Sequence, residues 1–201
     1  MGAKQLSPIL SQMAREGPYA FKFQGLTLWL VTKNADAQAA IDGMNPNCPR
    51  YEAHATLHYN TGTDEAAARQ KFSKLRERLR GQGPLDLKCG PPEYWGDHPP
   101  YDMRAIGLTH ERSAELDSLH ATAAAIFGLG PSSSTPTPHT SLVYDWLGAP
   151  AVNQDVVDEI RARWPALGGS VRFEGLALVD MRDAAVGEWK VLDRIDFETT
   201  A

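Results

Sequence analysis

An unbroken apolar run behind Gly25, Leu26-Thr27-Leu28-Trp29-Leu30-Val31, predicts a first strand of high β propensity. A second follows over residues 51–59, and between the two a short helix is expected over 36–44, ended near Pro46. Thr63 is placed to cap a helix over 66–79, in which Phe72, Leu75 and Leu79 recur at intervals of three and four and form one apolar stripe. A strand bounded by Gly and Pro is expected at Leu85 to Cys89.

The segment from Gly90 to Pro100, rich in Pro and Gly, reads as a loop that could cover a cleft, before another strand over 101–108. A helix over 111–127 carries the stripe Leu116, Leu119, Ala123 and Phe127, and Gly128-Leu129-Gly130-Pro131 stops it. A strand over 140–144, a helix over 152–164 and two strands, 171–179 and 189–197, complete the chain. The pattern looks like two similar halves and fits a compact α+β protein. Neither a dinucleotide-binding glycine fingerprint nor a phosphate-binding P-loop interrupts it.

With 201 residues, of which 42% are hydrophobic, the chain is long enough for one domain with a genuine core. We assign residues 21–201 to that domain and 1–20 to an N-terminal extension, a peripheral cap or a partly disordered segment, without the apolar core of a secretory signal. Twenty Lys and Arg against 25 acids, a net charge of −5, leave no extended basic track for a long nucleic acid, while a small anionic ligand stays in play. Cys48 and Cys89 have no metal-ligand spacing with histidine, and no apolar run is long enough to span a bilayer. A monomer in the reducing cytosol is the expectation.

Against that background two short motifs stand out: His54-Ala55-Thr56-Leu57 and His139-Thr140-Ser141-Leu142, 85 residues apart, each leading into an apolar strand. Residues i and i+2 of a strand share a face, so each strand presents one imidazole and one hydroxyl on the same side. One His-x-Thr is nearly uninformative; two in matching contexts are not. Paired histidines suit opening a cyclic phosphodiester, one imidazole taking a proton from water while the other protonates the departing sugar oxygen. Thr56 and Ser141 are suited to bind nonbridging phosphate oxygens as charge builds at phosphorus, and no metal or cofactor is required.

Other residues carry less. His58 shares the His54 face of an ideal strand but is read as peripheral or structural, and His110 and His120, near or within a helix, as satisfied surface groups. His98 lies in the proline-rich loop. Arg104 is an anion-binding candidate whose simpler reading is a peripheral salt bridge, and Thr109 stands at the expected cleft mouth.

The order of elements over residues 26–197 resembles the two-histidine phosphoesterase superfamily, particularly the cyclic phosphodiesterase branch of plants and yeasts. The segments that carry the resemblance are Leu26 to Val31, Pro49-Arg50-Tyr51-Glu52-Ala53-His54-Ala55-Thr56-Leu57, Thr137 to Tyr144, Gly175 to Val179 and Trp189-Lys190-Val191. The resemblance implies a bilobal α+β fold whose two pseudo-repeated lobes bring the motif strands together in a central cleft. It also implies conversion of ADP-ribose 1″,2″-cyclic phosphate, a tRNA-splicing by-product, to ADP-ribose 1″-phosphate, and opening of nucleoside 2′,3′-cyclic phosphates to 2′-phosphates. On this resemblance His139 activates water, His54 protonates the leaving group, Thr56 and Ser141 bind phosphate, and Trp29 and Tyr144 are aromatic lips for a nucleotide. Two alternatives stay open: a phosphoesterase acting on RNA ends, and a non-catalytic protein that binds a cyclic-phosphate nucleotide or an RNA end.

Overall fold

The structure is a computed structural model that describes residues 25–44, 51–95, 105–130, 137–144, 153–182 and 188–198. The expected extension 1–20, with Cys48, His98 and Arg104, lies outside the described residues. Nine strands and four helices are described: β1 (Leu26–Val31), α1 (Ala35–Met44), β2 (His54–His58), α2 (Glu65–Arg78), β3 (Leu85–Cys89), β4 (Glu93–Trp95), β5 (Ala105–Thr109), α3 (Ala114–Phe127), β6 (His139–Tyr144), α4 (Gln154–Arg163), β7 (Gly169–Phe173), β8 (Gly175–Asp180) and β9 (Lys190–Asp196).

All pairs among these strands are antiparallel, in three sheets of order β2-β1-β8-β9, β4-β5-β6 and β3-β7. The fold is α+β and bilobal, as expected, but its lobes are not consecutive halves of the chain. The four-stranded sheet joins the first two described strands to the last two, and the helices are exchanged: α1 packs on β6 of the second lobe, while α3 packs on β2 of the first. A single apolar core runs through both lobes, from Leu28, Leu30 and Phe72 to Ile106, Leu142 and Phe173. A smaller cluster, Trp29, Val31, Ala177, Val179 and Met181, covers the other face of the four-stranded sheet, so every residue of β1 is buried.

Local chemistry accounts for most boundaries and corrects several. The cap of α2 is Asp64, whose carboxylate accepts from Ala67 N–H, not Thr63. Helix α3 begins at Ala114, capped by Ser113, because Glu111 N–H is already bonded to Lys88 O; Gly128 ends it in the left-handed conformation. The single strand expected over 171–179 is two. At Glu174 the chain leaves β3 and joins β1: Glu174 N–H donates to Val31 O, and Glu174 O accepts from Phe197 N–H. The supposed loop after Gly90 contains β4, a three-residue strand too short to show a period.

Candidate active site

The two motif strands lie at the edges of their sheets and face one another, β2 against β6. In β2, Val31 pairs with His54 and Trp29 with Thr56, and then the register slips so that Leu28 meets His58. In β6, Thr109 pairs with His139 and Gly107 with Ser141, and the register slips so that Ile106 meets Val143. Each motif therefore ends in a bulge on its leucine, Leu57 or Leu142, and both leucines enter the common core. The bulges change the faces beyond them. His58, peripheral or structural on the sequence pattern though on the His54 face of an ideal strand, is turned into the core, fully buried, its Nε2 3.0 Å from His120 O. Tyr144 is brought back onto the face of His139 and Ser141, which an ideal strand would have denied it.

Both histidines are held alike. His54 Nδ1 lies 2.6 Å from Glu52 O and His139 Nδ1 lies 3.0 Å from Thr137 O. A carbonyl only accepts, so in each ring Nδ1 carries the hydrogen and the lone pair of the neutral imidazole sits on Nε2. His54 is 8% exposed and its pKa is pushed down to about 4, by burial first and also by His139, against the Glu52 carbonyl, which raises it. Burial lowers His139 as well, opposed by the Thr137 carbonyl. Burial thus disfavours the charged form of both rings, and an anion bound beside them would act in the opposite direction.

Their aromatic settings differ. Trp29, 2% exposed, lies flat on His54, ring centroids 3.6 Å apart and planes 10° from parallel; its indole N–H is buried without a hydrogen-bond partner among the described residues. Trp189 meets both rings edge-on, and Tyr51 approaches His54, Trp189 and Tyr144. Against His139 stands Trp95, at 4.9 Å and nearly perpendicular.

Trp95 reaches His139 because Gly107 has no side chain: a Cβ there would lie 2.1 Å from Trp95 Cη2 and 2.4 Å from Thr140 O. Where the first lobe places Trp29 opposite its motif hydroxyl, the second places Gly107 and borrows an indole from the next strand. Glu93 fixes that indole, accepting from Trp95 Nε1 at 3.1 Å and from the Thr109 hydroxyl.

Sequence reasoning singled out both motif pairs, which lie on the facing strands, and did not single out Trp95, Glu93, Tyr51 or Trp189, which surround them. The Glu93-Tyr94-Trp95 alternation, hidden among Pro and Gly, was the available signal for the first two. Nor are His110 and His120 surface groups. His110 is 2% exposed with Nε2 2.9 Å from Thr140 Oγ1, and burial, with a smaller contribution from His139, pushes its pKa down to about 4; the half-buried His120 packs on His58 at 4.0 Å. Thr109, expected at the cleft mouth, is half-buried and pairs with His139 at the end of its strand.

No family model and no curated protein matches the chain. Solved structures do. TT0787 of Thermus thermophilus superimposes with a TM-score of 0.55 at 16% identity, over 87% of this chain and 98% of its own. A structure described as a phosphoesterase gives 0.53 at 16% identity, over 88% and 99%. E. coli LigT complexed with 3′-AMP gives 0.52 at 16% identity, over 88% and 99%. The chain shares the fold of these structures, as the resemblance to the two-histidine phosphoesterases implied.

Proposed function

We propose that this protein hydrolyses cyclic phosphodiesters on small nucleotides by paired-histidine acid–base catalysis, with ADP-ribose 1″,2″-cyclic phosphate and nucleoside 2′,3′-cyclic phosphates as substrates. The observation that carries the reading is the duplicated geometry: two facing strands, each with an imidazole locked through Nδ1 to the carbonyl two residues back and a hydroxyl on the same face. His139 Nε2 takes a proton from the attacking water, and protonated His54 gives one to the departing oxygen. The face-on indole favours that order by about 0.5–2 kcal/mol, while burial, which pushes the His54 pKa down to about 4, opposes it, so the proton on His54 depends on the bound phosphate anion. Thr56 and Ser141 donate to the phosphate oxygens as phosphorus becomes pentavalent.

Trp29 and Tyr144 serve the substrate differently in this reading. Trp29 backs the catalytic ring, Tyr144 closes the wall beside Ser141, and the half-buried Trp189 is the ring placed to stack on a base. A small nucleotide is favoured over a long RNA by the net charge of −5. LigT was solved with 3′-AMP and with ATP, ligands of the class proposed here. A cytosolic monomer completes the proposal; separately, no helix among the described residues is long and apolar enough to cross a membrane.

The test is hydrolysis of ADP-ribose 1″,2″-cyclic phosphate, a nucleoside 2′,3′-cyclic phosphate and an RNA ending in a cyclic phosphate, with products assigned by phosphorus NMR. Formation of 1″- or 2′-phosphates from the small substrates is expected. Turnover of the RNA alone moves the assignment to RNA ends, and tight binding without turnover leaves a recognition protein.

A further inference from the structure

His54 depends on the carbonyl of Glu52, yet residues 51–53 precede β2 and have only one described strand beside them: Ala53 O accepts from Thr32 N–H at 3.4 Å. On the other side stands the side chain of Gln38. Gln38 Nε2 donates to Tyr51 O at 3.0 Å, and Gln38 Oε1 accepts from Ala53 N–H at 2.9 Å. The amide thus makes the pair of bonds a neighbouring strand would make and grips the peptide groups on both sides of Glu52. Its remaining Nε2 hydrogen goes to Asp42 Oδ1 at 3.1 Å, one turn along α1, so three of its four hydrogen-bonding positions are used. From outside, Arg194 holds the Glu52 carboxylate with two nitrogens, at 3.0 and 2.6 Å.

The helix that carries Gln38 is the one that packs on β6, the strand of His139. A second tie crosses at the same place: Tyr51 O–H donates to the carbonyl of the bulge residue Leu142 at 3.1 Å. Displacement of residues 51–53 would therefore turn the Glu52 carbonyl and alter where the first imidazole stands relative to the second.

We propose that Gln38 is a positioning residue for His54: its amide fork fixes the Glu52 carbonyl, which holds the imidazole as its Nδ1–H tautomer and turns Nε2 toward the cleft. The inference rests on the functional reading above only for its consequence in turnover, because the tautomer is measurable without a substrate. Gln38 touches no reacting atom in this scheme. The groups facing His54 that also titrate or carry charge are His139, Tyr51 and the Glu52–Arg194 ion pair.

The experiment is long-range proton–nitrogen NMR of the histidine rings in the full chain near pH 7, His54 being assigned from the signals lost in His54→Gln. The wild type is expected to show a single Nδ1–H tautomer at His54. Gln38→Met, close in length and without polar atoms, is expected to give a mixture with the Nε2–H form. Its kcat is expected to fall about 10- to 100-fold, the cost of slightly misplacing a catalytic group, with KM little changed. Gln38→Glu keeps the acceptor for Ala53 N–H but loses the donors to Tyr51 O and Asp42 Oδ1 and sets two carboxylates against each other, so a tautomer mixture is expected here too, and this variant carries the test if Gln38→Met does not fold. A folded variant with an unmixed Nδ1–H signal and wild-type kcat overturns the proposal. A mixed tautomer in the variant of a protein whose wild type hydrolyses no cyclic phosphate upholds the positioning and refutes the reaction.

Discussion

Adding one methyl group at Gly107 tests how the second lobe builds its half of the site. The backbone of Gly107 is ordinary strand, so Gly107→Ala brings no conformational strain and its effect is steric. The new Cβ would stand 2.1 Å and 2.8 Å from two atoms of the Trp95 ring and 2.4 Å from Thr140 O, against an ordinary contact of about 3.4–4 Å. Trp95 has somewhere to go only by giving up Glu93 and His139; the Thr140 carbonyl moves only if the β5–β6 ladder opens next to Ser141. Overpacking of this kind costs about 1–3 kcal/mol, and a backbone clash puts this site at the upper end. For a chain of this size about 3 kcal/mol is roughly 6–12 °C in Tm. Differential scanning calorimetry of Gly107→Ala, Trp95→Ala and the double variant separates the two clashes. Removing the indole should relieve part of the cost and leave the carbonyl part, so the double variant falls short of additivity. A single variant with wild-type Tm and turnover, or strict additivity in the cycle, would refute the reasoning.

Other consequences are as direct. His54→Ala or His139→Ala should slow cyclic-phosphate opening by about 100-fold or more, and unchanged turnover in either folded variant removes that residue from the mechanism. Thr56→Ala and Ser141→Ala should each cost roughly tenfold in kcat/KM, the loss of one hydrogen bond to a charged oxygen; no change in phosphate affinity or kcat/KM would strip the hydroxyls of that role. His54 and His110 hold pKa values of about 4 in the folded chain against 6.5 for an unperturbed ring. Between these values the unfolded chain binds more protons, so stability should fall as pH drops from about 6.5 toward 4. Urea midpoints at pH 7 and pH 5 check this; a midpoint at pH 5 equal to or above that at pH 7 contradicts the assigned protonation states.

The parts of the site legible in the sequence are those set by neighbours one or two residues away. Alternation put His54 with Thr56 and His139 with Ser141 on common faces, and the helix stripes marked Phe72, Leu75, Leu116 and Leu119 as core, where they lie. What the sequence hid depends on partners far along the chain. A bulge is a property of two strands, so nothing in His-Ala-Thr-Leu-His announces that Leu57 and His58 both turn inward. Nothing in Leu142-Val143-Tyr144 announces that the tyrosine returns to the site. Gln38 looks like any polar residue of a short helix until residues 51–53 lie beside it, and the exchange of α1 and α3 between lobes has no local signature.

Both motif strands occupy sheet edges, each a row of backbone groups that other chains could extend into a longer sheet. Here the two edge strands are turned toward one another, and α3 packs on β2 and α1 on β6. The facing of β2 and β6 that brings the two motif histidines together therefore also keeps both sheet edges from pairing with other chains.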